Sequence, residues 1–471
     1  MALQADLTRR LDRRIFALAI PALGALAAEP LLSLADTFFV SRLGVTALGA
    51  LAVNGAVFGF VFVVFNFLAY VTTPMVARAE GAGNRERAGQ IISSSLVLAI
   101  GLGVITTSVL ILFAQPILRL VQTGPEVMAP ALDYLRIKAL AAPAVLVILA
   151  GHGSFRGLAN TRIPLLITLA INVLNAVIDP ILIFGFDMGL SGAALGSVAA
   201  QYLGAGLFVV LLRRRLGQLT WAGLIGVRDL LRPGALITAR TLFLVSTLSI
   251  STAAVARIGV DALAAHQILR ETWFLSAMLV DGLAIAAQTL VAEATGRGDP
   301  QGEVDVIKRL LWWGSWMGAA MTGLWLVSAA PLAAVFAPTP GVAAELGDVT
   351  LVLAIFAIPA AWLWVLDGVV LGQLRLTRMM ASSGMGLVAA ALLLAVVVRN
   401  GWGLVGVWWA LGLMIGARLL VLVPGLLPPI EQKAPGLGQR QREQRRHQDA
   451  PAQHGHGGAQ SQAIDDEAPG Q

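Results

Sequence analysis

The chain of 471 residues contains no cysteine, which excludes disulfides, thiolate metal sites and thiol nucleophiles and leaves the redox compartment unread. Charge is scarce as well. Asp, Glu, Lys and Arg make up 13% of the residues against 57% hydrophobic ones, and the mean hydropathy is +0.79. A length that would ordinarily suggest about three soluble domains therefore belongs to a polytopic membrane protein. The formal charge of +6 sits in short basic clusters between apolar runs, where membrane topology accounts for it, so no nucleic-acid partner is expected. No intramembrane Ser with a suitable His and no His-Glu cluster can be found, so an enzyme is not expected either.

What is present in quantity is the long apolar run. Arg13 and Arg14 followed by Ile15 to Ala28 imitate a signal peptide, but the run resumes at Leu31 and reaches Val40, long enough to span a bilayer as an uncleaved first helix. Segments bounded by Gly, Pro and charge predict twelve helices. They fall at 13 to 40, 47 to 77, 91 to 122, 127 to 150, 161 to 184, 190 to 213, 233 to 256, 262 to 292, 305 to 336, 344 to 371, 379 to 399 and 403 to 427. Lys and Arg crowd alternate loops, for example Arg78, Arg85 and Arg87, then Arg213, Arg214 and Arg215, then Lys308 and Arg309. The positive-inside rule places those loops and both termini in the cytoplasm.

An internal repeat organises the span. Arg42-Leu-Gly-Val-Thr-Ala-Leu-Gly-Ala50 returns as Arg257-Ile-Gly-Val-Asp-Ala-Leu-Ala-Ala265, an offset of 215. The same offset relates Gly81 to Gly296, Pro116 to Pro331 and Gly157 to Gly372. Two six-helix halves of like orientation follow, with a cavity expected between them near the bilayer midplane. The expected layout is a cytoplasmic segment 1–12, a first lobe 13–213, a linker 214–232, a second lobe 233–428 and a disordered cytoplasmic tail 429–471, whose Gln, Arg, Gly, Pro and His composition cannot bury a core.

Residues found in both halves serve the shared fold, whereas a polar residue in one half alone does not. Asp36, in the apolar stretch Ile15 to Val40, maps to Ser251. Asn175 and Asp179, on the fifth helix, map to Ala390 and Leu394. A charged side chain at the centre of a membrane helix costs roughly 3 kcal/mol on insertion scales, so such residues are usually functional. Asn175 and Asp179 share a helix face, and Pro180 frees the carbonyl near Ala176. Freed carbonyls, an amide oxygen and carboxylates are hard-cation ligands. Glu29 lies two turns before Asp36. Two carboxylates meeting in a low-dielectric cavity cannot both stay ionised cheaply, so the pair is expected to take up a proton or a cation.

Twelve helices in two repeats, Pro21 and Asp36 in the first helix, Tyr134 in the fourth, Asn175-Ala-Val-Ile-Asp179-Pro180 in the fifth and Ser197 in the sixth resemble the multidrug and toxic compound extrusion (MATE) family, in its DinF-like branch, over roughly residues 10 to 428. The resemblance implies an all-α membrane protein of two pseudo-symmetric six-helix bundles. It implies a monomeric secondary antiporter of the bacterial inner membrane, exporting amphipathic, often cationic, organic compounds as H+ or Na+ enters, with no cofactor. By the same resemblance Asp36 and Asp179 respond to the ion, Asn175, Tyr134 and Ser197 are their neighbours, and Pro21 is where the first helix bends; the oxygens of Asp36, Asn175, Asp179 and Ser197 would also suit Na+. The family more often has Thr where Ser197 aligns. Another branch holds Na+ with acids on the seventh and tenth helices. Here the tenth carries Asp367 but the seventh only Arg240, so Glu271 and Asp281 of the eighth are the remaining acidic candidates. A flippase for lipid-linked oligosaccharides, from the same broad superfamily, is the alternative.

The substrate surface is expected along helix two, where Phe58 and Phe62 share a face and Asn54 and Asn66 interrupt a run of Phe. Arg136 and Lys138 read as residues snorkelling to the outer interface. His152 aligns with Asp367 and reads as a packing residue before a proton relay. Arg213-Arg-Arg215 reads as a topology signal that also contacts anionic membrane lipids.

Overall fold

In the computed structural model the backbone is described for residues 2–217 and 223–427, and side chains over the same residues except 2–5, 29, 31, 32 and 223–225. Among the described residues every regular element is helical. The first lobe comprises α1 (Ala2–Ser41), α2 (Val45–Phe65), α3 (Phe67–Gly81), α4 (Arg85–Leu112), α5 (Ala114–Leu120), α6 (Pro125–Ala139), α7 (Ala142–Gly157), α8 (Arg162–Pro180) and α9 (Gly189–Leu216). The second comprises α10 (Gly223–Val255), α11 (Val260–Gly296), α12 (Pro300–Phe336), α13 (Pro340–Gly372), α14 (Leu376–Asn400) and α15 (Gly403–Leu422). Eleven stretches are long and apolar enough to cross a membrane, and α6 with α7, bent by 50°, makes a twelfth.

That bend departs from the single straight fourth helix expected at 127 to 150, and proline is its cause. Pro143 has no amide hydrogen for the carbonyl of Ala139. The Thr107 hydroxyl donates to that oxygen instead (2.7 Å), and Tyr202 donates to the neighbouring carbonyl of Leu140 (3.0 Å). Two other expectations also change. The first helix starts at Ala2 rather than at 13, and helix continues into residues 214–232 from both sides, to Leu216 and from Gly223. Helical hydrogen bonding, once propagating, costs little to extend across residues that lack only hydrophobicity. Residues 428–471, and with them the tail, lie outside the described residues, as do 218–222.

The repeat is built into the packing. Asn84 caps α4 by accepting from the Arg87 amide (2.9 Å), and Asp299, 215 residues on, caps α12 by accepting from Gly302 (2.8 Å). Ahead of each cap the backbone turns through a left-handed glycine, Gly83 at φ 71° and Gly298 at φ 63°, a conformation that disfavours other residues. Within the lobes α3 packs on α7 and α11 on α13 at equivalent points, with Gly153 against Ala69 and Gly368 against Ala284. Thr107 also has its counterpart, because Thr322 donates to the carbonyl of Ala354 (3.0 Å).

Where the lobes meet, α3 crosses α11. A Cβ on Gly81 would collide with the backbone carbonyl of Glu293, and one on Gly296 with that of Arg78. Around this crossing lie three ion pairs between the lobes, Arg14 to Glu293 (2.6 Å), Arg87 to Asp229 (2.8 Å) and Arg309 to Asp12 (2.6 Å), the last reinforced by Trp313 donating to Asp12 (2.9 Å). These pairs are partly exposed and contribute at most about 1 kcal/mol each. Thr238 donating to Val64 (3.3 Å) and Thr289 donating to Arg156 (3.3 Å) continue the contact inward. These hydrogen bonds between the lobes lie on the arginine-rich side or near mid-depth. The lobes are closed there. Gly81→Ala or Gly296→Ala is expected to cost about 1–3 kcal/mol by overpacking and to lower the melting temperature of detergent-solubilised protein by several degrees; an unchanged melting temperature would show that the crossing yields without cost.

Candidate functional site

The first-lobe site is assembled by four helices. Asp36 reaches it from α1, five residues before the helix ends rather than at its middle; Tyr134 and Lys138 come from α6, Asn175 and Asp179 from α8, and Ser197 from α9. Asp179 is fully buried and Asn175 nearly so. Asn175 Nδ2 donates to Asp179 Oδ1 (3.0 Å) and, more weakly, to Ser197 Oγ (3.4 Å). The Asp36 carboxyl lies within hydrogen-bonding reach of the Asp179 carboxyl. Yet Asp36 Oδ1, Asp179 Oδ2 and Asn175 Oδ1 are buried without a donor. After Pro180 the chain continues through a π-helical turn, Ile181–Gly185, an irregularity that often accompanies functional helices. The proposed five-residue set is thus brought together, and α1 stays helical through Pro21.

Two further members were not foreseen. Lys138 does not snorkel outward: its Nζ donates to Ser197 Oγ (2.9 Å) and to the Tyr134 hydroxyl (3.3 Å), and it feels the charges of Asp36 and Asp179. Its inward position is held by those two hydroxyls, with the charges of Asp36 and Asp179 acting from further off. The signal was available in the spacing, because Lys138 lies four residues after Tyr134 and so shares its helix face. Gly196 is the other, for a Cβ there would occupy the place of Asp179 Oδ1. Arg136, as expected, is exposed.

The remaining candidates separate from this cluster. Asn54 is fully buried and ties α2 to α6, donating to the carbonyls of Ala50 (2.9 Å) and Ala131 (3.1 Å). Phe58 and Phe62 stack at 5.7 Å and pack against the same apolar cluster as Tyr134. Asn66 sits at the break between α2 and α3, its carbonyl accepting from Ala69 and Tyr70. The side chain of Glu29 lies outside the described residues. His152 contacts Thr168 (3.3 Å) and packs on Phe208, a packing role.

In the second lobe Asp367 accepts from Arg240 (2.7 Å) and twice from Arg418 (2.8 and 2.9 Å). Its oxygens are thereby engaged by two guanidinium groups. Glu271 instead pairs with Arg270 (3.2 Å) and Gln267 (2.9 Å), while Asp281 lies near Arg240 and Arg156. Asp281 and Asp367 thus both lie near Arg240 and Asp281 feels the charge of Asp367, while Glu271 stands apart, and among the described residues no group of three or more His, Asp or Glu could hold a metal ion.

Two helical lobes related by an internal repeat, with a polar cluster buried inside one of them, define a membrane transporter of the two-lobed class. The MatE family matches residues 21–181 and 237–397, one match in each lobe. The chain belongs to that family, a multi-pass efflux transporter of the multidrug and toxic compound extrusion type and not an enzyme. It is 33% identical over 426 residues to Protein DETOXIFICATION 44, chloroplastic, of Arabidopsis thaliana, covering 87% of this chain and 81% of the relative. To DNA damage-inducible protein F of Escherichia coli (strain K12) it is 28% identical, covering 87% and 91%. The fold superposes on the bent form of the Vibrio cholerae MATE transporter VcmN with a TM-score of 0.82 at 20% identity, over 89% and 98% of the two chains. This family assignment does not favour the flippase alternative.

Because a Cβ on Gly196 would overlap Asp179 Oδ1, Gly196→Ala is expected to reduce efflux by at least tenfold in protein that still inserts and folds. Gly196→Ala with wild-type efflux would remove Asp179's present position from the mechanism.

Proposed function

We propose that this chain exports amphipathic, cationic organic compounds across a bacterial inner membrane in exchange for protons, with Asp36 and Asp179 as the coupling pair. The observation that carries the reading is the facing of two carboxyl groups from α1 and α8, each with a buried oxygen that no protein group donates to. Acceptor oxygens facing one another need a proton or a cation between them. With Lys138 charged and both carboxylates ionised the cluster carries one net negative charge. Uptake of one proton makes it neutral, and a neutral cluster is the form a low-dielectric interior tolerates.

The same geometry favours H+ over Na+. Ser197 Oγ, which a sodium ion would need, accepts from the Lys138 ammonium at 2.9 Å. A metal ion beside that ammonium would be repelled by about 4 kcal/mol at 4 Å and an effective dielectric constant of 20. Lys138 also stands in the place of a cationic substrate, since both compete for the carboxylates. A compound that displaces it would be released when a proton arrives, which is the exchange an antiporter requires. The chain acts as a monomer in contact with membrane lipids, its termini and arginine-rich face cytoplasmic by the distribution of Lys and Arg.

Proteoliposomes loaded with a fluorescent lipophilic cation test this under an imposed pH gradient or an imposed Na+ gradient. Efflux is expected with the pH gradient alone and should fall to the level of empty liposomes in Asp36→Asn, which keeps size and hydrogen bonding. Lys138→Gln, which removes the competing ammonium, should acquire a response to the Na+ gradient. Efflux by folded Asp36→Asn equal to wild type would overturn the coupling pair, and sodium-driven efflux by the wild type would overturn the choice of proton.

A further inference from the structure

The arginine-rich end of α1 lies against the start of α12, and the two helices run in the same direction there. Asp12 accepts from Arg309, and Phe16 packs edge-on against Trp313 with ring centroids 4.6 Å apart, so the second contact repeats the first four residues on in both helices. Because α1 belongs to the first lobe and α12 to the second, this seam joins the lobes. Most of its cations are accounted for, Arg309 by Asp12, Arg14 by Glu293 and Arg10 by Asp6. Arg9, Arg13 and Lys308 are exposed, and among the described residues no carboxylate pairs with them.

In that register the three free cations fall within about 6 Å of one another along the helix axes, at 1.5 Å per residue. Arg9 and Arg13 share a face of α1, and Lys308, Trp312 and Trp316 share a face of α12, because each follows the last by four residues. Trp312 and Trp316 lie about 3 and 9 Å beyond the cations toward the apolar run, and they are 43% and 60% exposed. Their rings are held in place. Arg309 stacks over Trp312 at 4.0 Å, and the Trp312 ring lies 4.7 Å from that of Trp313 and 6.0 Å from that of Trp316. Further along, Ile20 and Val327, 62% and 68% exposed, begin an aliphatic surface. Cation, tryptophan, aliphatic is the order in which a phospholipid presents its phosphate, its glycerol esters and its acyl chains.

The duplicated fold does not require this arrangement. The counterpart seam, α10 against α4, is likewise tied by an ion pair, Asp229 with Arg87. Yet at the 215-residue offset Lys308 corresponds to Ser93, Trp312 to Val97 and Trp316 to Gly101. Topology asks for basic residues at this end of the helices, but not for unpaired ones beside a tryptophan ledge in one seam only. Asp305, one turn before Lys308, accepts from Gln301 (3.0 Å), which leaves three cations against one acid.

We propose that the seam between α1 and α12 binds the headgroup of an anionic phospholipid, with Arg9, Arg13 and Lys308 on the phosphate and Trp312 and Trp316 against the glycerol and upper acyl chains. Guanidinium groups offer paired donors to phosphate oxygens, and Lys308 adds a point charge. A phosphatidylcholine headgroup carries a cation of its own, which the three unpaired cations repel. Since those cations come from both lobes, one headgroup bridges the lobes on the side where they are closed. Arg213-Arg-Arg215, by contrast, stand on α9 alone. The inference concerns lipid binding and does not depend on the coupling ion or the exported compound.

Native mass spectrometry of the full chain, released from phosphatidylcholine nanodiscs containing one-tenth phosphatidylglycerol, tests this by the lipid each molecule retains. The wild type is expected to retain phosphatidylglycerol at least tenfold over phosphatidylcholine, relative to their supply. Arg13→Gln with Lys308→Gln should cut that preference at least fivefold, and Trp312→Leu with Trp316→Leu should cut it severalfold without removing charge. Arg214→Gln with Arg215→Gln, which takes the same charge from α9, should leave it within twofold of wild type. Retention without preference in the wild type overturns the proposal without recourse to any variant, as does a preference that survives Arg13→Gln with Lys308→Gln. An equal loss in the α9 variant assigns the preference to general surface charge and overturns the site. Millimolar inorganic phosphate added to the nanodiscs should not displace the lipid; displacement assigns the seam to free phosphate and overturns the headgroup. Because no transport is measured, failure here leaves the efflux reading intact, and failure of efflux leaves this one intact.

Discussion

The rest of the structure depends on the close crossing of α3 and α11, where Gly81 and Gly296 bring backbone against backbone. Inside a membrane, apolar side chains gain little from touching one another rather than lipid, so helices associate through close packing and polar contacts. Glycine supplies the first, and the ion pairs around the crossing supply the second. Since the two glycines are equivalent in the repeat, the contact has a pseudo-twofold character. Neither lobe can be displaced at this point without the other meeting the same obstacle.

From that closed side the charged groups divide by lobe. The first lobe holds two acids and one lysine in a cluster with an unsatisfied remainder, while the second holds Asp367 between two arginines. A buried acid engaged by two guanidinium groups is a strut, and breaking such a pair leaves a charge uncompensated. An acid pair short of donors can change state. The asymmetry between the lobes therefore separates a fully paired acid from an acid pair with buried oxygens left without donors.

Much of this was legible in the residues. Glycine, proline and cap positions recur at a constant offset because the turns and crossings they serve recur, and Asp36, Asn175 and Asp179 stand out because polarity inside an apolar run is costly. Lys138 was misread because its place near a helix end makes snorkelling plausible, and only the position of α9 with Ser197 shows where the ammonium goes. Glu271, Asp281 and Asp367 were grouped by residue type; the structure sets Asp281 and Asp367 around the same Arg240 and leaves Glu271 with Arg270 and Gln267. The bend at Pro143 follows from its missing amide, but its rescue by Thr107 and Tyr202 needs two other helices in place.

The sequence by itself determined the membrane class, the twelve spans, the duplicated architecture and the first-lobe acids, because hydropathy, repeat register and the cost of buried charge are local properties of the chain. Tertiary structure decided which polar groups meet: that Lys138 completes the acidic cluster, that Gly196 leaves space for a carboxylate, that Arg240 and Arg418 close over Asp367, and that α1 brings Arg9 and Arg13 alongside Lys308. Those pairings join helices distant in sequence, and the direction of a side chain is fixed only when the helix opposite it is placed.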